Sequence, residues 1–228
     1  MPPYFTQQSL DFLRKLAANN RREWFQTHKD DYQRHVREPF QQLLADLIVP
    51  LAAISPYFRA DPKSVGGSLF RIYRDTRYAS DKSPYKPWQG AQLFHERRRQ
   101  VTAPAFYLHL EPGQSFIGAG LWHPPTEVQR HIRQFIFENP ESWARAAHAP
   151  ALRENFQSYS EDMLKRPPAG FPADFRFIDD LRQRSFVLSR ALDDAQMTSA
   201  DLLETVVHNL EQLAPFVDYL CAALDLEF

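Results

Sequence analysis

Ala105-Phe106-Tyr107-Leu108-His109-Leu110, then Glu111-Pro112-Gly113-Gln114, then Ser115-Phe116-Ile117-Gly118-Ala119-Gly120-Leu121-Trp122 is the stretch that decides the fold class. Two β-prone runs joined by four residues that include Pro and Gly have the layout of a β-hairpin with a short turn. Upstream, Ser68-Leu69-Phe70-Arg71-Ile72-Tyr73-Arg74 is bounded by Gly66-Gly67 and reads as another strand. Met163 to Arg166 and Ser185 to Leu188 are two further short-strand candidates. The centre of the chain is therefore expected to be a sheet.

Outward from this centre the period changes to that of helices. Thr6 is placed to cap a first helix in which Leu10, Leu13, Leu16 and Ala17 recur at helical spacing. Asn19-Asn20 stops it and is placed to cap the next, which carries Glu23, Trp24 and Phe25. Pro39 suits the first turn of a longer helix with Phe40, Leu43, Leu44, Leu47, Ile48 and Leu51 on one face. Past the hairpin, Val128, Ile132, Phe135 and Ile136 mark a helix over Thr126 to Glu138, and another runs from about Glu141 to Ala147. Thr198 or Ser199 caps a last helix with Leu203, Val206, Val207, Leu210 and Leu213, which Pro215 either kinks or restarts. The expectation is an α+β fold, one domain over residues 1–228, with a central antiparallel or mixed β-sheet flanked by N- and C-terminal helices.

Composition agrees with one sizeable core. Apolar residues make up 43% of the 228 and charged residues 24%, with 18 Phe, 9 Tyr and 4 Trp. Trp24-Phe25 and Trp122 are expected to be core aromatics. A net charge of -1 gives no global reason to expect nucleic acid or an anionic membrane, so any anion site must be local. The single cysteine, Cys221, sits in an apolar run and reads as a small core residue, which excludes an intrachain disulfide. Met1-Pro2-Pro3-Tyr4-Phe5-Thr6 lacks the features of a signal peptide, and Asp46 and Pro50 interrupt the most apolar early run. A cytoplasmic location with no membrane span is expected.

Familiar cofactor and catalytic motifs are absent from the sequence. Gly118-Ala119-Gly120 lacks the third glycine and strand-to-helix setting of a dinucleotide loop, and no phosphate-cradling Gly-Lys-Ser/Thr or Gly-x-Ser-x-Gly elbow occurs. His95-Glu96 is not followed by a second histidine four residues on, and His123 and His131 lack a carboxylate at useful spacing. No cofactor and no metal site are expected, and whether the protein is an enzyme stays open.

Phe70-Arg71-Ile72-Tyr73-Arg74-Asp75-Thr76-Arg77-Tyr78, followed by Ser80-Asp81-Lys82-Ser83-Pro84-Tyr85-Lys86, resembles the signature of the uncharacterised family DUF2461. Asn19-Asn20-Arg21-Arg22-Glu23-Trp24-Phe25, Gly118-Ala119-Gly120-Leu121-Trp122 with Pro124, and Leu164-Lys165-Arg166-Pro167 with Gly170-Phe171 are similar to its other motifs, so the likeness spans nearly the whole chain. Tyr78-Ala79 and Pro87-Trp88 are small departures from the pattern. The resemblance carries no activity, cofactor or catalytic assignment with it.

The same run holds the strongest functional hint. Between Lys63 and Arg99 stand nine Lys or Arg against three Asp or Glu. Strand alternation would put Phe70 and Ile72 on the core side and Leu69, Arg71 and Tyr73 on the other. Arg71 and Arg77 would then converge with Lys82 and Lys86. Guanidinium and ammonium groups together suit a phosphate or carboxylate, and tyrosines stack on rings or donate hydrogen bonds. Arg71, Tyr73, Arg74, Arg77, Lys82, Tyr85 and Lys86 are therefore the candidate ligand-binding residues, with an anionic small molecule as partner. Asp75 and Asp81 are the weaker catalytic candidates, being paired carboxylates in one loop. Two alternatives remain at this stage. The basic surface docks an acidic protein or structured nucleic acid through a stripe continuing along Arg97, Arg98 and Arg99, or the charges pair internally and only pin the loop.

Overall fold

In the computed structural model, which describes residues 2–228, the chain opens with helices. α1 (Gln7–Ala18) follows Thr6, whose backbone N–H donates to Ser9 Oγ at 3.0 Å, and it ends at Asn19. Leu10, Leu13 and Leu16 are buried, as their spacing implies. α2 (Arg22–Thr27) has Arg21 and not an asparagine at its N-cap, because Asn20 is engaged elsewhere. α3 (Lys29–Tyr32) passes through a π-helical turn (Gln33–Arg37) into α4 (Glu38–Asp46), and α5 (Ile48–Ile54) follows a break at Leu47. Pro50 cannot donate to the Asp46 carbonyl, so a fresh helix starting at Ile48 places it in a first turn where no donor is needed. The break corrects the expected stripe. Phe40, Leu43, Leu44, Leu47 and Leu51 are buried, but Ile48 is exposed.

The sheet is made of β1 (Phe58–Arg59), β2 (Gln89–His95), β3 (Ala105–Leu110), β4 (Phe116–Leu121), β5 (Gln157–Ser158) and β6 (Phe186–Ala191). Their spatial order is β1-β2-β3-β4-β6-β5, and every pairing is antiparallel. The expected hairpin is present as β3 and β4, in a register that opposes Phe106 to Ala119 and His109 to Phe116. Between β4 and β6 lie α6 (Thr126–Glu138), α7 (Pro140–Ala147), α8 (Pro150–Asn155) and α9 (Ile178–Leu181). Of the two short-strand candidates, Ser185 to Leu188 falls on β6, whereas Met163 makes only one bridge, to Gln183. α10 (Asp194–Met197) and the 21-residue α11 (Leu202–Ala222) close the chain. α11 runs unbroken through Pro215, which, like Glu211 one turn earlier, is exposed, and the Glu211 carbonyl is left without its helical donor.

Helices cover one face of this sheet. Phe106, Leu108 and Leu110 of β3, Ile117, Ala119 and Leu121 of β4, and Phe186 and Leu188 of β6 alternate into a core that continues through α11 at Val206, Leu210, Leu213 and Leu220. The opposite face presents Gly90, Gln92 and Phe94 of β2, Tyr107 and His109 of β3, and Phe116 and Gly118 of β4. Between β1 and β2, residues 60–88 fold back along the sheet edge and partly cover that second face.

Those residues correct the expected strand over Ser68 to Arg74. The segment is extended but makes isolated bridges only, Leu69 to Ala91 and Tyr73 to Tyr85. Phe70 N–H donates to the Gly90 carbonyl and Lys86 N–H to the Ile72 carbonyl, so the chain leaves β2 and pairs with its own return. A bend at Ile72 separates the two pairings. It also puts Phe70 and Ile72 on different sides: Ile72 enters the core while Phe70 packs on Tyr107 at 5.7 Å. The true strand is β2, whose Gln89-Gly90-Ala91-Gln92 start carries no β-branched residue and takes its conformation from β3 on one side and from Ser68 to Phe70 on the other.

Candidate functional site

The excursion from Arg71 to Lys86 is held at its base by the first helices. Asn20 Nδ2 donates to the Tyr85 carbonyl at 2.9 Å, and Tyr85 N–H donates back to Asn20 Oδ1 at 3.1 Å. Tyr85 itself is 1% exposed and stacks on Phe25 with ring centroids 4.1 Å apart. Tyr73 meets both rings, Phe25 edge-on at 6.4 Å and Tyr85 at 5.4 Å. Burial pushes the Tyr85 hydroxyl pKa up, with Tyr73 adding to the effect. These two tyrosines are chiefly anchors of the loop, and the motif around Asn20 and Phe25 is its socket.

Beyond the anchor the charges sort themselves. Arg74 pairs with Asp81, whose carboxylate also accepts from Ser83 N–H at 2.9 Å and Ser83 Oγ at 2.6 Å. Those Ser83 donors and then Arg74 hold the Asp81 carboxyl far below the usual carboxylate range. Asp75 is gripped by Arg77 through Nε at 3.0 Å and Nη2 at 2.7 Å, which lowers its pKa as well. Lys82 Nζ donates to the Thr76 carbonyl at 3.0 Å. Both aspartates are thus committed to cations of their own loop, and the expected convergence of Arg77 and Lys82 on a common concavity does not occur. Arg71 and Lys86 do come together: Lys86 Nζ donates to the Arg71 carbonyl at 3.2 Å, and the Arg71 charge acts on Lys86.

Lys86 differs from these cations in its packing. Its ammonium lies over the Trp88 ring at 4.8 Å and the Phe70 ring at 5.3 Å, and it makes no ion pair among the described residues. Burial, then Arg71, lowers its pKa. It lines a cleft of about 480 Å³ with Arg74, Asp75, Pro87, Trp88 and Glu111. Arg74 is shared with a second cleft of about 320 Å³, whose wall includes Arg22, Gln26, Tyr73 and Tyr85.

Glu111, which also lines the larger cleft, lies outside the candidate cluster and continues a row of polar residues behind it. Tyr107, His109 and Glu111 occupy alternate positions of β3 and its turn, so they share the open face of the sheet. Tyr107 Oη lies 2.9 Å from His109 Nδ1, and His109 Nε2 lies 2.9 Å from Glu111 Oε2. The imidazole is 7% exposed, packed between Phe116 at 4.7 Å and Trp88 at 4.8 Å. Burial lowers the His109 pKa against the opposing pull of Glu111, and it raises that of Tyr107. A neutral ring bonded to a carboxylate carries its proton on Nε2, so Nδ1 accepts from the Tyr107 hydroxyl. The tyrosine fits only because residue 90 is glycine: a Cβ there would stand 2.2 Å from the Tyr107 hydroxyl oxygen. The spacing Tyr107-x-His109-x-Glu111 was the available signal, since period two on a strand gathers such groups.

Other sequence expectations resolve here too. Trp122 is 59% exposed and packs on Tyr159 at 4.5 Å, so it is not a core residue, while Phe25 is buried. His123 meets Asp162 at 3.5 Å, a partner distant in sequence that spacing did not reveal. Arg98 breaks the proposed basic stripe by lying over Phe94 at 3.2 Å and donating to the Gly66 carbonyl at 2.8 Å. Among the described residues, no group of three or more His, Cys, Asp or Glu is placed to hold a metal ion. No helix among them is long and apolar enough to cross a membrane.

A family model described as "Conserved hypothetical protein (DUF2461)" matches residues 8–219. The chain belongs to DUF2461. The matched residues include the Asn20 socket, the 71–86 loop, Glu111 and most of α11. No curated protein and no solved structure matches the chain at a significant level.

Proposed function

We propose that the cleft beside Lys86 binds a small ligand through a phosphate or carboxylate group. The observation that carries this reading is the Lys86 ammonium itself, half-buried between two aromatic rings and without a carboxylate. Taking a charge out of water is costly unless it is paired, and the ring-packed Lys86 ammonium has only the Arg71 carbonyl as acceptor, whereas Arg74 and Arg77 each hold a carboxylate. A ligand anion supplies the missing partner, with Arg71 adding positive potential and Trp88 offering a ring face. The cleft volume falls in the range of small-ligand sites. Arg98, turned inward, leaves the flat basic stripe that a docking surface for acidic protein or nucleic acid would use interrupted. A cytoplasmic setting belongs to the same proposal: Cys221 is buried and its thiol is pushed up to about 12, as suits a core residue and not a disulfide partner.

The test is ligand-induced stabilisation with inorganic phosphate, phenyl phosphate and benzoate. A ligand at about a hundred times its Kd stabilises the fold by about 2.7 kcal/mol, a readily measured rise in Tm. At least one probe should raise Tm in the natural protein and none in Lys86→Met, while Lys82→Ala keeps the response. Flat melting curves for all three probes, or an undiminished response in Lys86→Met, would overturn the proposal.

A further inference from the structure

The cleft has two unneutralised charges and they are of opposite sign. Of its four charged side chains, Arg74 is answered by Asp81 and Asp75 by Arg77. Lys86 has no anion, and Glu111 has no Lys or Arg, among the described residues. From this we infer that the ligand is dipolar: an anionic head for Lys86 joined by a short linker to an ammonium group for Glu111. The inference rests on the anion reading above and names the class of molecule it concerns.

Glu111 is built to receive such a group. Its backbone is fixed from both sides by one serine, with Glu111 N–H donating to Ser115 Oγ at 3.0 Å and Ser115 Oγ donating to the Glu111 carbonyl at 2.9 Å. Its side chain is fixed by His109, which in turn is fixed by Tyr107. Because that imidazole is neutral, the hydrogen bond orients the carboxylate without cancelling its charge. Oε2 is occupied by His109, and Oε1 makes no hydrogen bond among the described residues, on a side chain that keeps a quarter of its surface exposed. An ammonium donating to Oε1 would find a charged, pre-aimed acceptor, and the rings of Trp88 and Phe116 hold the relay that supports it. A purely anionic ligand gains nothing from this wall and is repelled by it.

Calorimetric titration with matched probes tests this directly, using 2-aminoethyl phosphate against ethyl phosphate and β-alanine against propionate. The natural protein should bind the amine-bearing member of a pair about tenfold more tightly. Glu111→Gln, whose fold is checked by its unchanged circular dichroism and Tm, should erase that preference and bind the plain anion more tightly than the natural protein does, since the repelling charge is gone. His109→Gln should reduce the preference by freeing the carboxylate from its orientation. Equal affinity for the two members in the natural protein, or a preference that survives Glu111→Gln, overturns the inference while leaving the anion site standing. A preference met equally by 2-hydroxyethyl phosphate overturns the ammonium assignment. Failure of every probe to bind overturns the anion reading and this one with it.

Discussion

The two faces of the sheet are made from the same strands and do different work. On the helical face β1, β2, β3, β4 and β6 contribute Phe, Leu, Ile or Ala to a continuous apolar core. On the open face the alternate positions hold glycine, glutamine, tyrosine, histidine and phenylalanine, with Phe70 laid on Tyr107 and Trp88 on His109. One face maximises apolar burial; the other places a hydrogen-bonded polar chain under an aromatic cover and leads it to solvent. The contrast teaches that stability and chemistry are separable in this molecule by residue parity along β3.

The sharpest way to break the comparison is to cut the helical face. Phe106→Ala, at a fully buried position, should cost about 3–5 kcal/mol in urea denaturation, while the protein that remains folded binds the phosphate probes unchanged. Next in size is Asn20→Ala, which strips both hydrogen bonds from the Tyr85 backbone. About 1–3 kcal/mol of local stability should go, seen as faster amide exchange confined to residues 71–86 and weakened probe binding.

A smaller effect separates the faces by pH. The folded His109 pKa is depressed, so below its ordinary value near 6.5 the unfolded chain takes up a proton that the folded ring resists. The stability this ring contributes is therefore present above about pH 6.5 and drains away as pH falls through that value toward the folded pKa. Urea midpoints between about pH 7.5 and 5.5 should drop more in the natural protein than in His109→Gln; parallel slopes would show that the ring does not titrate against folding. Smallest of all is Arg77→Ala. Its pair with Asp75 is solvent-exposed, so Tm should not move measurably, while affinity for the anionic probes falls slightly because Asp75 faces the cleft without its cation.

What could be read from the sequence followed the same division. The hairpin, α1, α6, α7 and the last helix were legible because their signals are local: period, turn residues, caps. Ser68 to Arg74 has strand-like composition, yet a bend at Ile72 and pairing with its own return deny it a place as a strand. β2 was illegible for the converse reason, its glutamines and glycine being made into a strand by neighbours on both sides. At the site, the cluster was visible as a charge excess, but which cation lacks an anion depends on contacts such as Arg74 with Asp81 that only the folded loop defines. Glu111 was passed over as a turn residue, although its alternation with Tyr107 and His109 was written in the sequence.

Hairpin turns are ordinarily where a chain tolerates changes of length, since the ladder below them does not feel an added residue. The turn between β3 and β4 has lost that freedom. Glu111 and Ser115 clasp each other across it, Gly113 takes a left-handed φ of 74° and its N–H is held by Asp194 at 2.8 Å. An insertion anywhere from Pro112 to Gln114 would open the clasp and carry the carboxylate out of reach of His109 while the strands stayed paired. The length of this turn is therefore a property of the cleft and not of the hairpin.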